Sequence, residues 1–203
     1  MKNLTLAAFF ILATFTSFAQ VSSDTATFTR GAYGVQSVFP VNISSQSSCA
    51  DTLGVAIPSG HWISSIKLSY QVETTGGFFG GTAPNDVGTY VELQSESSKE
   101  AALTYGTSGT NGTTETLTRT ITDFNGAVTD TFLVFKVHAL RQGFTTVCDT
   151  NSAKFTDSTL TIIVNHYPAP TCFQPTNLTV DWTMSNQAEL AWTSGGATSW
   201  EIE

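Results

Sequence analysis

Three histidines, three cysteines and a scatter of carboxylates are the residues of this chain best equipped for chemistry. His61 lies in a Ser-Gly-His-Trp turn, His138 in an apolar run beside Lys136, and His166 at the start of a Pro-rich stretch. Hydrolysis needs an activated nucleophile or a poised acid/base pair. The chain contains no Gly-x-Ser-x-Gly, His-Glu-x-x-His or P-loop pattern, so no catalytic residue is expected. Its glycine-rich loops open no helix, which removes the usual cradle for a phosphate. Cys49, Cys148 and Cys172 have neither C-x-x-C spacing nor a nearby His pair, which argues against a zinc site. Two readings stand for the first two. A Cys49–Cys148 bridge would close a loop of about 100 residues, contributing up to ~4.7 kcal/mol on the chain-entropy account. Alternatively, one or both are buried free thiols. Cys172 is then the unpaired cysteine.

The carboxylates raise one cation question. Asp51 follows Cys49 by two residues and Asp149 follows Cys148 directly. A bridge would draw those carboxylates together, where a structural calcium ion takes oxygen ligands. Asp86, in the Asn85-Asp86 pair, is a second candidate, and ordinary Asx turns are the competing explanation of all three. No other cofactor is expected. For binding, the loop Thr74–Gly88 is the most informative stretch. Its Gly76-Gly77-Phe78-Phe79-Gly80-Gly81 run places two aromatics on a tether of glycines, and Trp62 and Tyr33 lie near other turns. Exposed aromatics offer flat apolar faces for stacking on sugar rings. The opposing reading tucks Phe78 and Phe79 beneath the loop. Neighbours in an extended chain point opposite ways, so at most one of the two is easily buried.

The elements that must position these residues are strands. Ile66, Leu68, Tyr70 and Val72 alternate with Lys67, Ser69, Gln71 and Glu73, the period of a strand with one face on a core. Weaker runs of the same kind are Ala26–Arg30, Val35–Ile43, Leu53–Ile57, Tyr90–Ser95, Ala102–Tyr105 and Glu115–Phe124. Thr131–Leu140 and Ser158–Asn165 are the most apolar, and predict central strands buried on both faces. Asn125-Gly126 predicts a tight hairpin turn, because both residues tolerate positive φ. No segment after residue 20 shows a helical period. The expected fold is all-β: an antiparallel jelly-roll-like sandwich over residues 20–167. Three prolines then make a semi-rigid linker over 168–176, within the boundary segment HYPAPTCFQPT.

Residues 1–19 predict a signal peptide. Lys2 supplies a positive start, Leu6–Phe15 an apolar core, and Ser17 and Ala19 the small residues before cleavage at Gln20. No other apolar run approaches bilayer length, so a membrane-spanning helix is not expected. Only 12% of the 203 residues are charged, about half the usual share, and Ser and Thr supply about a quarter of the chain. The net charge is −8. Without a basic patch the chain cannot release phosphate counterions, so nucleic acid is not an expected partner. With 40% hydrophobic residues, disorder is excluded as well.

The final segment carries a resemblance. PTNLTV, AELAW and ATSWEIE, in residues 175–203, resemble the opening strands of a fibronectin type III module. The resemblance implies a sandwich core containing Leu178, Leu190, Trp192 and Trp200, with only the first strands present in residues 177–203. The whole layout is similar to large exported bacterial surface proteins, which implies the N-terminal part of a longer chain. The expected function is therefore a non-catalytic extracellular or cell-surface protein in adhesion or ligand binding, its partner a polysaccharide or another surface protein. The alternative is a carbohydrate-binding accessory region of an exported hydrolase whose catalytic domain follows residue 203.

Overall fold

A computed structural model describes residues 20–76, 81–143, 148–170, 176–184 and 187–193. The described chain is built from strands, with two single-turn 3-10 helices at Pro84–Asp86 and Gln94–Glu96. Its fourteen strands are β1 (Ser22–Thr27), β2 (Tyr33–Val38), β3 (Thr52–Ala56), β4 (His61–Thr74), β5 (Val87–Leu93), β6 (Ser98–Lys99) and β7 (Thr104–Tyr105). These are followed by β8 (Thr114–Ile121), β9 (Gly126–Ala127), β10 (Phe132–Gln142), β11 (Cys148–Phe155), β12 (Thr161–Pro168), β13 (Thr176–Met184) and β14 (Gln187–Thr193).

Twelve strands form one continuous hydrogen-bonded sheet that folds over on itself as an all-β sandwich, as its composition predicts. The two longest strands act as spines. β4 pairs with β12 and then β11 along one side, and with β9 and β8 along the other. β10 pairs with β3 and then β2 along one side, and with β5 along the other. β11 and β2 pair with each other and join the two halves. One pairing departs from the expected antiparallel scheme: β2 runs parallel to β10, with Leu140 opposite Gln36.

The alternation in β4 places Ile66, Leu68, Tyr70 and Val72 in the core, in one cluster of buried side chains that also holds Val137, Phe135 and Leu133 of β10. Burying each such side chain contributes about 1.5–3 kcal/mol, the main drive for closing the sandwich. The two strands expected to be buried on both faces behave differently. β10 is buried on both faces only near its end, at Val137–Leu140, and β12 alternates strictly, with Ile162, Val164 and His166 inward. β12 also runs further than expected. His166 and Tyr167 are strand residues opposite Ile63 and Trp62, so the linker begins after them.

One local expectation is corrected, and one strand is new. Asn125-Gly126 is not a two-strand hairpin turn: β8 and β9 both pair with β4, and residues 122–125 bridge them along one edge. Gly126 has φ 120° there, and the Asn125 N–H closes a short turn on Thr122 O at 3.1 Å. β11 was not evident from CDTNSAKF, because Asp, Asn and Ser are poor strand formers. Tertiary pairing with β2 and β4 makes it a strand. The segment after the linker forms a separate two-stranded antiparallel sheet, β13–β14.

Candidate functional site

An open cleft of about 370 Å³ lies at one end of the sandwich, lined by Val41, Gly81, Thr82, Asn85, Asp86, Tyr105, Arg141 and Gln142. Its central feature is the Tyr105 ring. β7 pairs with β5 so that Tyr105 lies opposite Gly88, and a Cβ on Gly88 would stand 2.9 Å from the ring. The ring therefore rests on bare backbone, and its 43% exposure leaves aromatic surface open to the cleft.

The wall beside it is a loop pair locked by hydrogen bonds. Pro84, at the first position of a 3-10 turn, has its φ preset for that turn, and Asp86 Oδ2 accepts the Ala83 N–H at 2.9 Å. Asn85 N–H donates to Ser108 O at 3.0 Å, and Gly112 N–H to Thr82 O at 3.2 Å. Gly106 packs so closely that a Cβ there would meet the Pro84 carbonyl oxygen at 2.5 Å. Glu115 secures the other end of this loop, accepting the Thr107 N–H and hydroxyl and the Ser108 N–H. Desolvation pushes the Glu115 carboxyl up, but those hydrogen bonds outweigh it and hold the group below its ordinary range. Asn85 and Asp86 thus stand on an ordered, exposed ledge. On the opposite side Arg141 donates through Nη2 to Ser152 Oγ at 3.1 Å, while Gln142 is exposed at the end of β10. An aromatic face beside two amides, a carboxylate and a guanidinium suits a ligand with both flat C–H faces and many hydroxyls.

The residues singled out from sequence fall in different places. Phe78 and Phe79 lie outside the described residues. Asp86 is in the cleft wall. Trp62 is half-buried beside Tyr167, ring centres 6.4 Å apart. Tyr33 is corrected from a surface aromatic to a core one, 9% exposed and packed edge-on to Phe28 and Phe155. Its position at the first residue of a central strand turns it inward, and burial pushes its hydroxyl well up.

Cys49 and Cys148 are bonded, with Cα atoms 5.4 Å apart, tying the loop before β3 to the start of β11. Cys172 lies outside the described residues. Asp51 accepts Arg30 Nη1 at 2.9 Å and, through Oδ1, its neighbour's Thr52 N–H. Asp149 lies opposite Val35, its side chain outside the description. Among the described residues, no group of three or more His, Cys, Asp and Glu side chains is arranged to hold a metal ion. In the β13–β14 ribbon, Leu178 is 68% exposed, contrary to the core position its resemblance implied. Among the described residues this sheet has two strands, too few to close a core of their own. Leu190 and Trp192 are half-buried, and Trp200 lies outside the described residues.

Three polar clusters were not legible in sequence, because each joins residues brought together only by tertiary pairing. Buried Glu100 pairs with Arg119 and accepts the Val91 N–H at 2.6 Å. Buried His138 accepts the Ser47 N–H on Nδ1 at 3.0 Å, which leaves its proton on Nε2 for Glu92 at 2.9 Å. The third is His61, His166 and Asp24. No protein-family model matches the chain, and no curated protein is significantly similar to it.

Proposed function

We propose that the sandwich is a non-catalytic, extracellular binding module whose ligand is a neutral carbohydrate segment seated in the Tyr105 cleft. The observation that carries this reading is the Tyr105 ring, backed by Gly88 and flanked by Asn85, Asp86 and Gln142. Sugar rings offer a C–H face to an aromatic plane and hydroxyls to planar amides and carboxylates around it. The sequence also carries Phe78 and Phe79 within the glycine-rich run of residues 76–81. Export is supported by the signal-like residues 1–19 and by the Cys49–Cys148 bridge, which belongs in an oxidising compartment. The resemblance of residues 175–203 to fibronectin type III strands fits a modular surface protein in adhesion, or the accessory region of an exported hydrolase.

The test is titration of the untagged chain, residues 20–203, with a panel of soluble polysaccharides by affinity electrophoresis and calorimetry. Binding to one neutral glycan is expected, weakened about tenfold by Tyr105→Ala, the scale of one aromatic stack. Asn85→Ala should weaken it further. The reading is overturned by no binding across the panel, or by binding that neither substitution changes.

A further inference from the structure

Apart from the cleft residues, three residues from three strands form a line of polar contacts. His61 opens β4, His166 lies in β12 and Asp24 in β1. His61 Nδ1 stands 2.7 Å from His166 Nδ1, and His166 Nε2 stands 2.8 Å from Asp24 Oδ2. We propose that His61 and His166 are a binding site for a transition-metal dication of the class imidazole favours, Cu²⁺ or Zn²⁺, with Asp24 holding His166 from behind.

The geometry supports this in four ways. A carboxylate that accepts one ring N–H of a histidine fixes its tautomer and leaves the other nitrogen as a bare lone pair, the arrangement found behind metal-bound imidazoles. Asp24 does this to His166, so the lone pair of His166 Nδ1 faces His61. Secondly, the backbone carrying both rings is pinned. His166 lies opposite Ile63 at a register shift in the β4–β12 ladder, and the Ala169 N–H closes on Gly60 O at 2.7 Å just beyond it. Thirdly, His166 is only 1% exposed and its ring is held in place, whereas His61 is partly exposed and gives a route from solvent. Water completes the coordination on that open side. Finally, the adjustment needed is small. Two Zn–N bonds of about 2.0–2.1 Å at a tetrahedral angle set the nitrogens about 3.3 Å apart, so the rings must part by about 0.6 Å. Rotation of the freer His61 ring supplies this.

The protons balance. With both rings neutral, His166 carries its proton on Nε2, and the proton in the contact belongs to His61 Nδ1. Metal binding moves that proton to His61 Nε2 through solvent, with no net release.

The test uses untagged protein titrated with Cu²⁺ and Zn²⁺, with Ca²⁺ as the oxygen-seeking comparison. One saturable site is expected for each transition metal and none of comparable strength for Ca²⁺. His61→Ala should abolish the site, and Asp24→Asn should weaken it 10–100-fold, the usual cost of removing a carboxylate behind a ligand. Zn²⁺ should shift the imidazole NMR signals of His61 and His166 and leave His138 unchanged. Non-saturable binding, retention of the site in His61→Ala, or equal Ca²⁺ affinity overturns the proposal. None of these outcomes bears on the carbohydrate cleft, whose residues are separate.

Discussion

His138 shows how a single residue is tied to this fold. Its side chain is 0% exposed, stacks on Tyr90 with ring centres 4.4 Å apart, and joins Ser47 to Glu92. Desolvation lowers its pKa; the nearby Lys136 and Lys99 act in the same direction, against the hydrogen bond and charge of Glu92. The native state therefore holds the neutral ring more firmly than the unfolded chain does. The sign follows from linkage: below the ordinary pKa of about 6.5 the unfolded chain binds a proton that the folded one resists. Stability from this residue is fully present above that pH and is lost as pH falls toward the lowered native value. Urea unfolding between pH 8 and pH 5 should show stability declining through that window. His138→Gln should be less stable at pH 8, by about 1–3 kcal/mol for the disturbed buried network, yet flatter with pH. An equal slope in the variant would show that other groups carry the effect. Sequence placed His138 correctly on a strand, but not its partners, which lie 46 and 91 residues away.

At the scale of elements, the strands were legible wherever one face had to be apolar. β4 was evident from its alternation alone, and β3, β5, β8 and β10 appear within a few residues of their expected bounds. The misses have a common cause. β11 is polar, and β9 is two residues long, so both owe their conformation to neighbouring strands and not to their own propensity. Threonine at outward positions explains the low charge. Thr114, Thr116, Thr118 and Thr120 all face solvent on β8, and Ser69 of β4 bonds to Thr118 at 2.9 Å across the face. The cleft belongs to this scale as well, since it is made where the loop carrying Pro84 meets the loop carrying Gly106. Gly106→Ala should force these loops apart, because its Cβ would meet the Pro84 carbonyl carbon at 2.6 Å and oxygen at 2.5 Å. Overpacking of this kind costs about 1–3 kcal/mol. Glycan binding should fall with it, measured by the same titration, while the circular dichroism of the sheet stays unchanged. Full binding by the variant would remove this loop contact from the site.

For the whole molecule, the Cys49–Cys148 bridge joins residues 99 apart and ties β11 to the loop before β3. Constraining a loop of that length in the unfolded chain contributes several kcal/mol, about 2–5 in small secreted domains. The Cys49→Ser/Cys148→Ser chain should therefore unfold at markedly lower urea concentration, and a midpoint matching the parent would show that the sandwich is held by its core alone. Sequence by itself determined the class of this protein: strand periodicity, sparse charge and turn glycines leave an all-β sandwich, because those patterns act over a few neighbouring residues. It also offered the Cys49–Cys148 pairing as one of two readings and pointed to the Thr74–Gly88 stretch, of which Gly81, Thr82, Asn85 and Asp86 line the cleft. Only the tertiary structure decided that the bridge forms, that Tyr33 is core, that Tyr105 lies on Gly88, and that Asp24, His61 and His166 stand in line. The physical reason is range. Alternation and turn chemistry are local, whereas these sites are assembled by strand register between segments up to 142 residues apart, and no local pattern specifies which register will bury the core best.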